Sequence, residues 1–136
     1  MYRILVIEED ADIRTLLLLV LQRSRYLARG AATSRRGLEL ISEFQPDLVF
    51  VSLELAHMNS WALADKLKSR QSTLHIPVIA LTTQELHAGA SFHAYLSGFT
   101  DILSKPFNLD VVLAIVARHL PHMRPHQRPD IHVPAV

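Results

Sequence analysis

The sequence predicts an α/β fold: a doubly wound, five-stranded parallel sheet with helices on both faces. Two observations carry that prediction. The short apolar runs at residues 3–7, 47–52 and 76–81 lack the alternation of a half-exposed strand, and so suit strands buried on both sides. Segments of helical periodicity separate them, so strand and helix alternate five times along the chain, the order of a parallel sheet with crossover helices.

The first strand is residues 3–7. A helix follows over 11–25, with Asp10 or Asp12 available as cap and first-turn acid. Residues 26–32 make a weaker second strand, low in β-branched side chains and suited to a place near an edge. Thr33-Ser34 can cap a second helix, which runs to Phe44 and is stopped by Pro46. The central strand is 47–52, and 53–59 is a loop. Residues 60–70 give a third helix, with Leu63 and Leu67 one turn apart. The fourth strand is 76–81. A helix over 84–96 ends at Ser97-Gly98. Residues 100–103 form a short fifth strand, 104–107 a turn, and Asn108 caps a last helix to about Leu120. At this size the flavodoxin-like strand order 2-1-3-4-5 is the common solution. The domain spans 1–120. Residues 121–136 hold four of the seven prolines without apolar periodicity, and read as a tail.

Composition narrows the function. The chain is 49% hydrophobic and 20% charged, as a globular domain is. A net charge of +1 favours no nucleic acid, and Arg35-Arg36 is a solvated pair rather than part of a basic stripe interleaved with aromatics. The absence of cysteine excludes disulfides and thiolate metal sites. No charged leader precedes an apolar core, and the longest apolar run, residues 16–21, is far short of the ~20 needed to cross a bilayer. The expectation is a cytoplasmic protein with no membrane partner. His119, His122 and His126 have ligand-like spacing, but Pro121 and Pro125 break the helix that would align them.

In an open parallel sheet the working residues sit beyond the carboxyl ends of the strands. Here those ends gather Glu8, Glu9, Ser52 and Lys105, with Thr82 and Thr83 beside them. Two acids and a lysine around one crevice suit a hard divalent cation and an anionic group. Plainer readings stand next to this one. Ser52 can be a strand-end residue bonding locally. Glu8 and Glu9 can simply pair with Lys105, and Thr82-Thr83 can cap the entry to a helix.

The same segments carry a resemblance. Ile4-Leu5-Val6-Ile7-Glu8-Glu9-Asp10 leading into Ile13-Arg14, then Pro46-Asp47-Leu48-Val49, then Ile76-Pro77-Val78-Ile79-Ala80-Leu81-Thr82, and Gly98 with Asp101-Ile102-Leu103-Ser104-Lys105-Pro106-Phe107 occur in order at the right spacing. Along residues 3–120 the chain resembles the response-regulator receiver domain of two-component signalling. The resemblance implies an acid pair holding Mg²⁺ and an aspartate ending the third strand that takes a phosphoryl group from a histidine kinase. It also implies a Thr or Ser and a Lys contacting the phosphoryl oxygens. By position, Glu8 and Glu9 are the acid pair, Thr82 the switch hydroxyl, Lys105 the lysine, and the Glu54 backbone carbonyl the remaining metal ligand. The acceptor position holds Ser52.

That departure changes the chemistry. A carboxylate is ionised at pH 7 and attacks without help, whereas a serine hydroxyl needs an activating base, which no nearby histidine or nucleophile-elbow pattern supplies. Local carboxylate charge falls from three to two, and glutamates are longer than the usual aspartates, so Mg²⁺ is expected to bind weakly or not at all. Ala56, Ser60 and Ile102 also depart from the proline, glycine and aromatic usual in the family.

In the first helix Ile13, Leu16, Leu17, Val20 and Leu21 are the stripe expected to face the sheet, which leaves Leu18 and Leu19 outside. In the last helix Val112, Leu113 and Val116 suit the core, leaving Val111, Ile115 and Ala117 as extra apolar residues. Burial of Leu18, Leu19, Val111 and Ile115 is worth about 1.5–3 kcal/mol each, so a face that exposes all four points to an interface. The alternative is a somewhat apolar monomer surface.

The expectation is therefore a degenerate receiver: not an enzyme, without a required cofactor, acting as a phosphorylation-independent interaction module for a protein partner and as a homodimer through its first and last helices. One alternative is a receiver that is still phosphorylated, or is modified on Ser52. Another is metal-binding or catalytic use of the acidic crevice.

Overall fold

The chain forms β1 (Arg3–Ile7), α1 (Ala11–Arg23), β2 (Leu27–Ala31), α2 (Ser34–Phe44), β3 (Leu48–Ser52), α3 (Ser60–Lys68), β4 (Val78–Thr82), β5 (Asp101–Ser104) and α4 (Leu109–His119). The structure is a computed structural model that describes residues 1–55, 60–83 and 98–120. The helix expected over 84–96, part of the loop before α3 and the tail 121–136 lie outside the described residues. The strands make one parallel sheet in the order β2-β1-β3-β4-β5. Fold class and strand order are those the sequence predicts, with β2 and β5 at the edges.

Every residue of β3 and β4 is buried, as their continuous apolar character requires. Alternation along the strands divides the core between the two faces. Ile4, Val6, Leu48, Phe50, Ile79, Leu81 and Leu103 pack under α1 and α4. Leu5, Ile7, Val49, Val51 and Val78 pack under α2 and α3, against Leu40, Ile41, Leu63, Ala64 and Leu67.

The helix ends follow the sequence signals. The Asp10 carboxylate accepts the amides of Asp12 and Ile13, Thr33 accepts that of Arg36, and Asn108 that of Asp110. α2 stops because Gln45, placed before Pro46, turns into the left-handed region at φ 53°. β4 begins at Val78 rather than Ile76, since Pro77 has no amide to give the ladder.

Two apolar faces differ from expectation. In α1 the buried stripe is Leu17 and Leu21, supported by Ile13 and Leu18, while Leu16 is exposed. The phase is set by β2. A β-carbon at Gly30 would lie 3.0 Å from both Arg14 Cδ and Leu18 Cδ1, so the missing side chain there lets this flank of α1 settle on the sheet. In α4 Ile115 is buried with Val112 and Val116, and Leu113 is only partly covered. Residues 112, 115, 116 and 119 form the i, i+3, i+4, i+7 stripe. Of the four residues assigned to a surface patch, Leu19 and Val111 are exposed, Leu18 packs at the core margin and Ile115 belongs to the core.

The outer end of β5 is tied to α4. Asp101 Oδ2 lies 2.9 Å from Arg118 Nη1 and 3.0 Å from His119 Nε2. Burial pushes the Asp101 carboxyl up, but the His119 contact, the Ile102 amide and Arg118 together outweigh it and hold the group below the usual aspartate range.

Candidate functional site

Register alone brings the site together. Ile7 pairs with Val51, Ser52 with Leu81, and Thr82 with Ser104, so Glu8, Ser52, Thr82 and Lys105 leave neighbouring strands at one edge of the sheet. Main-chain bonds continue the ladder past the strand tips: Leu53 N–H donates to the Leu81 carbonyl at 2.8 Å, and Lys105 N–H to that of Thr82 at 2.8 Å.

Lys105 is the centre of the cluster. Its ammonium lies 2.7 Å from Glu8 Oε1, with the two side chains only 8% and 3% exposed. It donates to Ser52 Oγ at 3.0 Å and to Glu54 Oε1 at 3.3 Å. The Glu8 contact is an ion pair off the line of a hydrogen bond, and among the described residues no hydrogen-bond donor reaches that buried oxygen. The second Glu8 oxygen accepts the Asp10 amide at 3.0 Å. Arg14 Nη1 donates to the Glu8 carbonyl at 2.8 Å and the Glu9 carbonyl at 3.3 Å, which pins the β1–α1 turn.

Ser52 is wholly buried. Its Oγ accepts from Lys105 and, at 3.1 Å, from the Glu54 amide, while its carbonyl accepts the Ser60 hydroxyl. Thr82, also buried, donates to Glu54 Oε2 at 3.0 Å, and the Thr83 amide donates to Glu54 Oε1 at 3.3 Å. The structure thus gathers Glu8, Ser52, Thr82 and Lys105 as expected. Glu9 is exposed.

Sequence reasoning assigned Glu54 only a backbone carbonyl. In the fold its side chain is a full member of the site, so the two carboxylates that meet Lys105 are Glu8 and Glu54 rather than the expected Glu8 and Glu9.

The residues present do not fit Mg²⁺. Lys105 already supplies a cation between Glu8 and Glu54, and the position between them on β3 offers a hydroxyl rather than a carboxylate. Mg²⁺ sheds water reluctantly and needs carboxylates free to meet octahedral geometry. Among the described residues no group of three or more His, Asp or Glu side chains is disposed to hold a metal.

A parallel sheet that ends in an acid, two hydroxyls and a lysine at neighbouring strand tips is the architecture of a signalling receiver. Comparison with known proteins agrees: residues 4–117 match the response regulator receiver domain. The chain belongs to that family, the receivers of two-component signal transduction. It is 30% identical over 125 residues to the DNA-binding transcriptional regulator NtrC of Proteus hauseri, covering 92% of this chain and 26% of that protein. It is 31% identical over 116 residues to RpaA of Synechocystis, a DNA-binding dual master transcriptional regulator, covering 85% of this chain and 48% of the relative. The chain therefore spans about a quarter to half of these relatives. A two-component response regulator from Clostridium difficile superimposes with a TM-score of 0.80 at 26% identity, over 91% of this chain and 99% of that one. Among the described residues no helix is long and apolar enough to cross a membrane.

Proposed function

We propose that this receiver works without phosphoryl transfer and presents a fixed surface to a protein partner in a signalling pathway. The observation that carries the reading is the environment of Ser52. Its hydroxyl is buried and accepts hydrogen bonds from the Lys105 ammonium and the Glu54 amide, and among the described residues no histidine lies against it. The ammonium that would steady a transferred group is already committed to Glu8 at 2.7 Å. A hydroxyl so placed is a poor nucleophile, because nothing removes its proton as it attacks. In this reading the chain is not an enzyme and needs no metal.

In this reading the partner contact falls on α1 and α4, whose exposed apolar residues are Leu16 and Leu19 on one helix and Leu109 and Val111 on the other. A second copy of the chain is the occupant we favour. The deciding experiment incubates the protein with acetyl phosphate and Mg²⁺ and measures intact mass. An unchanged mass supports the reading, and a phosphoryl adduct defeats it.

A further inference from the structure

Glu54 follows Ser52 by two residues, and its side chain turns back over the strand tips. Three donors from two parts of the chain meet its carboxylate: the Thr82 hydroxyl on Oε2, and the Thr83 amide and the Lys105 ammonium on Oε1. Its own amide is held by Ser52 Oγ, so the backbone at the root of the side chain is fixed as well.

We propose that the Glu54 carboxylate is a tethered anion that permanently occupies the oxyanion-binding position of this site and holds β3, β4 and β5 in one arrangement. The inference rests on the phosphorylation-independent reading above and names what sets the state of the site in place of a phosphoryl group.

A hydroxyl, a main-chain amide and an ammonium converging on two oxygens form a charge-assisted donor set of the kind that binds oxyanions. Here the oxyanion is part of the chain. A group on so short a tether competes at an effective concentration of millimolar or more, so a free oxyanion must displace Glu54 to enter. Glu8 adds a second negative charge beside the same lysine, which opposes a further anion. The Glu54 side chain is 36% exposed, so its removal opens the site without emptying the core.

The test follows the Thr83 amide by NMR hydrogen exchange in the full chain, with inorganic phosphate as the probe. In Glu54→Ala this amide loses its acceptor and exchanges about tenfold faster, the factor expected for one hydrogen bond to a charged group. Phosphate then slows it again in the variant and leaves the wild type unchanged. Glu54→Gln keeps the bulk without the charge and gains the phosphate response too. Unchanged exchange in Glu54→Ala, a phosphate response in the wild type, or a Gln variant indistinguishable from wild type overturns the inference. These failures are separable from failure of the parent reading, which appears as a phosphoryl adduct on the wild type after incubation with acetyl phosphate, acetate being released.

Discussion

Replacing Lys105 with methionine tests whether the lysine now serves the fold itself. The ion pair with Glu8 spans 2.7 Å with both side chains nearly enclosed. At an effective dielectric of about 20, two unit charges at that distance attract by about 6 kcal/mol. The variant no longer incurs the lysine's desolvation, which brings the net loss for breaking such a pair to about 3–5 kcal/mol. Glu8 would keep the Asp10 amide on one oxygen and have nothing on the other, and Ser52 and Glu54 would each lose a donor. Urea unfolding followed by circular dichroism measures the loss as a lower midpoint at unchanged slope. Adding Glu8→Gln removes the orphaned charge, so the double variant should be about 2 kcal/mol more stable than the sum of the single effects allows. A loss below about 1 kcal/mol for Lys105→Met, or single effects that add within about 0.5 kcal/mol, would refute the reasoning.

Three further outcomes are expected. Gly37→Ala should destabilise by up to about 2 kcal/mol in the same assay: the new β-carbon would lie 2.4 Å from Ile7 Cδ1 and 2.9 Å from its Cγ1, and overpacking costs of about 1–3 kcal/mol are offset by a gain in helix propensity of about 1 kcal/mol. Ile7→Val, which lacks the clashing methyl, should reduce that cost. For Asp101, whose folded carboxyl titrates below its ordinary value of 3.8, the unfolded chain binds more protons between the two values. Its contribution is therefore full above that ordinary value and fades as pH falls through the folded one. A series of melting temperatures below about pH 5 should fall less steeply for Asp101→Asn than for wild type, and parallel curves would count against the Arg118–His119 tie. Leu19→Glu and Val111→Glu alter exposed positions and should leave stability within about 0.5 kcal/mol. If the second copy docks there, they convert a dimer seen by sedimentation at micromolar concentration into a monomer, and a wild-type monomer would remove the homodimer.

The parts of the fold that were legible are those fixed by local chemistry. Capping by Asp10, Thr33 and Asn108 depends on short polar side chains beside a helix start, and the buried strands depend on unbroken apolar runs. The phases of α1 and α4 were not legible for the converse reason. Residues 16–21 are all Leu or Val, and 111–116 are all apolar, so periodicity offers several equivalent stripes. The choice in α1 was made by Gly30, a residue of another element. At the site, Glu8, Ser52, Thr82 and Lys105 were found because strand tips in a known order must converge. Of the reading that pairs both Glu8 and Glu9 with Lys105, the side chains adopt the Glu8 half, while Glu9 is exposed. Glu54 was missed because it lies beyond the strand, where the loop path rather than the ladder decides what it meets.

That loop residue explains how the site stays electrically viable with a serine at position 52. Lys105 is almost fully enclosed and cannot discard its charge into solvent. A carboxylate on β3 would ordinarily share that charge with Glu8. With a hydroxyl there and no Glu54, Lys105 would face a single buried acid, and the Thr82 hydroxyl and Thr83 amide would each lose a carboxylate acceptor. Glu54 answers both needs with one side chain, giving the lysine a second acid and the two donors an acceptor. The serine and the glutamate are therefore coupled: restoring an aspartate at 52 alone would set three acids around one lysine. In Ser52→Asp the Glu54 carboxylate should be driven outward, freeing the Thr83 amide to exchange as it does in Glu54→Ala. Unaltered protection at Thr83 in Ser52→Asp would mean that the two positions are independent.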